Sequence, residues 1–200
     1  VKLNWNLMLT YLFSSRVEKA LIHGELALPL ARELNNDEQL AFVLNDLCRV
    51  YVCLGKFDEA HALVQEAREL WHSLDNQAML ADSFGSEAEA YSNDGDHAKG
   101  LESAFQGFQI SEKIENLWGK AYNRMLASFI YFDMGEIVRA IQLAEESILE
   151  GDRGGLIASS TSLRAEVGWF YGYYGAIEKG LELAEHALEH AELDFERAVQ

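Results

Sequence analysis

The sequence predicts an all-α protein of five tandem helical hairpins, and three observations lead there. A single proline against 15 glycines, in 200 residues that are 49% apolar and 24% charged, suits a folded helical chain better than a turn-rich β-sandwich. Gly55, Gly95, Gly135 and Gly175 recur every 40 residues, and four residues before each stands a tyrosine: Tyr51, Tyr91, Tyr131 and Tyr171. Tyr11 extends this ladder upstream, with Ser15 in the place of the glycine. Small residues then hold fixed columns beyond each mark. Five places on come Ala20, Ala60, Gly100, Ala140 and Gly180; nine places on, Gly24, Val64, Ala104, Ala144 and Ala184; twelve places on, Ala27, Ala67, Gly107, Ser147 and Ala187. A fixed period of this length marks a repeat architecture.

Each unit divides into two helices. Leu44, Leu47, Cys48, Tyr51 and Leu54 follow a 3.6-residue rhythm, so a first helix ends near the glycine, which stops it by taking the left-handed conformation. A second helix starts two places later at Val17, Phe57, Ile137 or Ile177, with His97 as the exception to the apolar pattern. The three small columns fall on one stripe of that helix, where missing side chains let another helix approach closely. Second helices end in the polar stretches Asn35-Asn36-Asp37, Asp75-Asn76 and Glu115-Asn116, and the fourth in Gly151-Asp152-Arg153-Gly154-Gly155. The units therefore run near 1-36, 37-76, 77-116, 117-156 and 157-196. No hairpin buries its own apolar face, so they are expected to stack as one solenoid domain without a linker. Pro29 lies inside the second helix of the first unit, where loss of the bond to the Glu25 carbonyl predicts a kink.

Charge and composition exclude several functions. Thirty-three acids against 16 Lys and Arg give a net charge of −17 with no basic run, which opposes binding to nucleic acid. The most apolar window, Leu40 to Leu54, is broken by Asn45, Asp46 and Arg49 and is too short for a bilayer. Cys48 and Cys53 point roughly 140° apart on one helix and cannot bond to each other, in keeping with a reducing compartment. With no signal-like opening, the chain is expected in the cytoplasm.

The pattern Cys48-Tyr51-Gly55-Ala60-Ala67, nearly repeated in Gly168-Tyr171-Gly175-Gly180-Ala187, resembles the tetratricopeptide repeat. The resemblance covers nearly the whole chain. It departs in its period, 40 residues in place of the usual 34, and in the absent proline at the end of the second helix, where His72, Glu112, Asp152 and Glu192 stand. Such long versions resemble the sensor arms of bacterial multidomain regulators, including signal-transduction ATPases, cyclase-linked proteins and maltose-activator-like transcription factors. Because the sequence opens mid-helix without methionine and closes in a helical stretch, it is read as a piece of a longer protein.

The resemblance implies a right-handed superhelix whose first helices line a concave, partner-binding wall. Carried onto this sequence, the wall comprises Lys2, Trp5, Leu9, Leu12 and Phe13, then Phe42, Asn45, Arg49, Val52 and Cys53, then Asp82, Gly85, Glu89, Ser92 and Asn93. The last two units supply Tyr122, Met125, Phe129, Phe132 and Asp133, and Ser162, Ala165, Trp169, Gly172 and Tyr173. It is aromatic at both ends and polar at the centre. Phe42, Asn45, Arg49, Glu89, Tyr122, Met125, Phe129, Phe132, Trp169 and Tyr173 are the candidate partner-binding residues. Their rings are either interface anchors or packing of long helices against neighbouring units. Arg49 beside Glu89 and Asp82 reads more readily as a solvated ion pair than as a peptide clamp. Gly172 reads more readily as a close-packing glycine than as the floor of a pocket.

No catalytic constellation emerges. His186 and His190 share a helical face at metal-ligand spacing but lack a third ligand, so neither metal nor cofactor is expected. Gly151 to Gly155 follows no strand and lacks the Lys-Ser/Thr ending of a phosphate loop. The sequence thus reads as a non-enzymatic scaffold that binds a protein or peptide, basic around an apolar anchor. The alternative is an effector-sensing arm of a multidomain regulator. Self-association through terminal residues is a third reading: Val1, Leu3, Trp5 and Leu7 at one end, and Leu188, Leu193 and Phe195 at the other. The seam assignment predicts that Ala140→Leu overpacks the stack and lowers stability by about 1–3 kcal/mol, while Tyr51→Ala lowers it by opening a cavity. Urea unfolding measures both, and an unchanged midpoint for Ala140→Leu would refute the seam.

Overall fold

The computed structural model describes residues 1–199, with side chains at 1–156 and 161–189. Ten helices and no strand occupy the described residues. In order they are α1 (Lys2–Phe13), α2 (Val17–Glu33), α3 (Asp37–Cys53), α4 (Phe57–Ser73), α5 (Gln77–Asn93), α6 (His97–Lys113), α7 (Leu117–Asp133), α8 (Ile137–Arg153), α9 (Ile157–Tyr174) and α10 (Ile177–Val199). Every second helix starts on the residue that the repeat arithmetic indicates, His97 included. α2 runs through Pro29 to Glu33, so the proline does not end it.

Each turn is built the same way, and the true rhythm is half that of the hairpin. Left-handed residues stand at Ser15, Asn35, Gly55, Asp75, Gly95, Glu115, Gly135, Gly155 and Gly175, one every twenty. After Ser15, Gly55, Asp75, Gly95, Glu115, Gly135, Gly155 and Gly175 the next amide donates back to the fifth residue before it, closing the Schellman turn that satisfies orphan carbonyls. At hairpin tips the acceptor is a ladder tyrosine: Arg16 donates to Tyr11 (2.9 Å), Lys56 to Tyr51 (2.9 Å), Asp96 to Tyr91 (2.9 Å), Glu136 to Tyr131 (2.8 Å) and Ala176 to Tyr171 (2.9 Å). Between hairpins the acceptors are Trp71 (3.1 Å), Ser111 (2.8 Å) and Gly151 (2.8 Å). There the polar pairs divide their labour. Asn35, Asp75 and Glu115 take the left-handed turn, while the side chains of Asn36, Asn76 and Asn116 accept from Gln39, Met79 and Gly119 (2.9, 3.1 and 3.1 Å) and cap the next helix.

The same tyrosines carry cations on their rings. Lys19, Lys99, Arg139 and Lys179, each eight residues beyond its tyrosine, lie 5.5, 5.2, 4.2 and 4.1 Å from the centroids of Tyr11, Tyr91, Tyr131 and Tyr171. In the second hairpin Glu59 holds that position and Lys56 covers Tyr51 instead, at 5.3 Å.

The chain forms two compact units, Val1–Gly107 and Phe108–Gln200. In the first, Ala20, Ala27, Ala60, Ala67 and Ala104 are fully buried. A Cβ on Gly24 would collide with Leu47 and Met8. Trp71, also fully buried, meets Phe42 edge-on at 4.8 Å. In the second unit Ala140 and Ala144 are fully buried, and Ser147 Oγ donates to the Ala121 carbonyl at 2.7 Å, so a small hydroxyl ties α8 to α7. Backbone meets backbone where α9 crosses α10: a Cβ on Gly168 would lie 2.7 Å from the Gly180 carbonyl oxygen, and one on Gly180 2.6 Å from that of Gly168. Ala184 alone among the small-column residues is exposed.

The turn geometry sets a reciprocal expectation. Gly135 has φ +79° with open space around its Cβ position, so Gly135→Ala should cost about 1 kcal/mol through backbone strain alone. Glu115 holds φ 54° with a side chain, and Glu115→Gly should be neutral or stabilising by up to about 1 kcal/mol. Urea midpoints that move the other way in either variant would refute the account.

Candidate functional site

The first helices of unit 1 present a polar wall built from α1, α3 and α5. Asn45 is buried at 2% exposure, and its Nδ2 donates to Asp82 Oδ2 at 2.8 Å. Its Oδ1 accepts no hydrogen bond. Trp5 of α1 reaches across to donate its indole N–H to Asp46 Oδ2 at 2.7 Å, and its ring lies 5.3 Å from Phe42. One turn further along α3, Arg49 Nε stands 3.5 Å from Glu89 Oε2, and the guanidinium carbon is 5.9 Å from the Phe13 centroid. The Arg49 and Glu89 side chains are 28% and 27% exposed, so this is a half-buried pair and not the fully solvated one the sequence suggests.

Burial controls the charge states. Loss of water raises the Asp82 carboxyl to about 6, with the neighbouring Asp46 charge adding to the rise and the Asn45 hydrogen bond and Arg49 opposing it. Asp46 is also raised by burial, against the pull of the Trp5 hydrogen bond and Arg49. Burial pushes the Cys48 thiol far up, so it has no thiolate character, and neither cysteine is in a disulfide.

In unit 2 the wall is aromatic. Phe170 is fully buried and forms the base of a cluster between α7 and α9. Phe132 stacks on it at 4.3 Å with the planes 15° apart, and Phe129 meets it edge-on at 5.9 Å. Trp169 and Tyr173 continue outward from Phe132 at 4.9 and 5.3 Å and contact each other at 5.1 Å. These two rings are 53% and 67% exposed. Tyr122 stacks on Trp118 at 5.0 Å, and Met125 is half-buried. Thus Phe42, Tyr122, Met125, Phe129 and Phe132 are half-buried packing residues, Asn45 is interior, Arg49 and Glu89 are paired, and Trp169 and Tyr173 face solvent. A Cβ on Gly172 meets nothing within 4 Å, so no neighbour requires a glycine there, although its backbone nitrogen lies 3.4 Å from where a Cβ on Gly180 would stand.

Residues 2–73 match the tetratricopeptide repeat family model. The fold is tetratricopeptide-like. Among solved structures, the repeats of a kinesin light chain-like protein of Podosopora anserina align at TM-score 0.65 and 17% identity, over 98% of this chain and 96% of that one. A Rap protein complexed with competence and sporulation factor aligns at TM-score 0.83 and 11% identity, over 92% and 52% of the two chains. A signal-transduction ATPase with numerous domains and a tetratricopeptide sensor, from Pyrococcus horikoshii, aligns at 0.69 and 16%, over 98% and 30%. No curated protein matches in sequence. Identities this low show the fold alone.

Two participants escaped the repeat arithmetic. Asp46 is one place off the wall positions, and its signal was a charge inside the most apolar window, Leu40 to Leu54. Phe170 neighbours Trp169 and was hidden among the aromatics of Gly168 to Tyr174. Trp5, expected at an exposed terminal face, is instead tied inward to Asp46 and Phe42, whereas Leu3 is 73% exposed and Leu188 61% exposed. His190, Leu193 and Phe195 lie outside the described side chains. No described helix is long and apolar enough to cross a membrane.

Because the folded Asp82 titrates near 6 and its ordinary value is 3.8, folding takes up a proton between those limits. Stability is therefore lost as pH rises through that window, and the loss is complete above it. Asp82→Asn removes the penalty and should stabilise the chain by roughly 3 kcal/mol at pH 7.5 and by about half of that at pH 5. Urea unfolding at both values checks this, and a pH-independent difference would contradict it.

Proposed function

We propose that the chain is a non-enzymatic interaction module that takes a protein or peptide segment against its first helices. The observation that carries this reading is the aromatic cluster of unit 2, where Trp169 and Tyr173 stand exposed on a base formed by Phe132 and the buried Phe170. Exposed rings seated on a packed core are stiff, bury much area and lose little entropy on binding, which is the make-up of an interface anchor. The net charge of −17 favours segments with basic residues around the apolar anchor, and association should slow as salt is added.

A second reading makes the chain an effector-sensing arm of a larger regulator. It is favoured by the likeness to the tetratricopeptide sensor of the signal-transduction ATPase and to the Rap protein that carries a bound factor. In the first reading the first helices hold a protein or peptide segment; in the second the chain binds a small effector and shifts a neighbouring catalytic or DNA-binding domain.

Selection of random peptides displayed on phage against the immobilised chain tests the proposal. Enriched peptides should combine an aromatic or aliphatic residue with Lys or Arg. Trp169→Ala and Tyr173→Ala should each weaken a selected peptide by about 30-fold, a shift of about 2 kcal/mol, and leave the unfolding midpoint nearly unchanged. Unaltered binding in both variants, or collapse of either fold, would defeat the assignment.

A further inference from the structure

We propose that Asp46, Asp82 and Asn45, with the Trp5 indole on the rim, form a notch that accepts the ammonium or guanidinium group of a Lys or Arg side chain on a bound partner. The inference rests on the reading of the first helices as the recognition face, and it assigns that face a second, chemically distinct subsite in unit 1.

The notch is rich in acceptors and short of donors. Asp46 from α3 and Asp82 from α5 are both drawn out of water, and the hydrogen bonds they receive come from the neutral Trp5 (2.7 Å to Asp46) and Asn45 (2.8 Å to Asp82). Asn45 is almost fully buried, and with its amide N–H turned to Asp82 its Oδ1 accepts nothing. A buried acceptor without a donor is destabilising, so its retention calls for an explanation. The charges are also unequal. The Asp46 and Glu89 charges both bear on Asp82, Arg49 is the cation that lowers both aspartates, and Arg49 already stands against Glu89 at 3.5 Å. Lysine ammonium offers three donors and no acceptor, and guanidinium offers five, so either group meets what the notch lacks. The Trp5 and Phe42 rings beside it suit the methylene stem of such a side chain. A divalent metal is the poorer fit, because no three His, Cys, Asp or Glu side chains among the described residues are grouped to hold one.

The ionised pair is what the ligand requires, so binding should fail as Asp82 takes up its proton. The charged groups that act on it are Asp46 and Arg49 from α3 and Glu89 from its own helix α5, while from α1 the neutral Trp5 indole donates to Asp46.

The test is an amide NMR titration of the whole chain with Nα-acetyl-lysine methylamide, alongside the uncharged norleucine analogue. The lysine compound should shift the Trp5 indole and Asn45 side-chain amide signals saturably, with a Kd of the order of millimolar at pH 7.5. Binding should weaken at least tenfold at pH 5 and in Asp82→Asn, a variant expected to be more stable than the parent, so that its loss of binding cannot come from unfolding. Equal shifts with the norleucine compound, no saturable shift with the lysine compound, or full affinity in Asp82→Asn would each overturn the notch. None of these results bears on Trp169 and Tyr173, whose peptide binding is read separately in unit 2.

Discussion

Both units depend on helices coming together along columns of residues too small to hold them apart. Hydrophobic burial supplies the driving force, but the alanine and glycine columns decide where it is spent, because only there can two backbones approach closely enough to exclude water. The extreme case is the Gly168–Gly180 crossing, where each glycine would place a Cβ against the other's carbonyl oxygen. Ser147 shows the same need met with a polar residue, its hydroxyl bonded to the backbone it touches. The tyrosine ladder then locks each tip: the tyrosine carbonyl closes the turn, and its ring receives a cation from the following helix or from the turn itself.

Much of this was legible because period and face are properties of spacing. Val17, Phe57, His97, Ile137 and Ile177 open their helices where the repeat places them, and the columns at Ala20, Ala60, Ala140 and Ala144 are buried. Depth was less legible. Asn45 and Ala165 occupy corresponding positions in the wall, yet one is interior and the other is exposed, since what covers a position is set by its neighbours and not by its phase. The half-period was missed for a chemical reason. At hairpin tips the left-handed position is mostly glycine and easily seen, whereas between hairpins it is filled by Asn35, Asp75 and Glu115, which look like ordinary polar turn residues. Sequence adjacency also blurred Asn35 with Asn36, although one bends the chain and the other caps a helix.

The acidic wall of unit 1 and the aromatic wall of unit 2 spend stability differently. Rings on the Phe170 base cost little, because they pack on one another. The carboxylates of Asp46 and Asp82 are held where water is scarce and like charges oppose, and the fold tolerates them because Arg49, Asn45 and Trp5 return part of the lost solvation. Groups kept at such a disadvantage are a mark of recognition surfaces more than of cores.

The turn at every twentieth residue also governs how this chain can change length. α2 to α8 are each 17 residues long, so every helix hands on the chain with the same phase. One residue gained or lost inside a helix would swing every later side chain in it by about 100°, carrying alanines off the contact line and bulky residues onto it. Viable growth or shrinkage is therefore confined to whole helix-plus-turn modules, and lasting duplications would come in pairs of them.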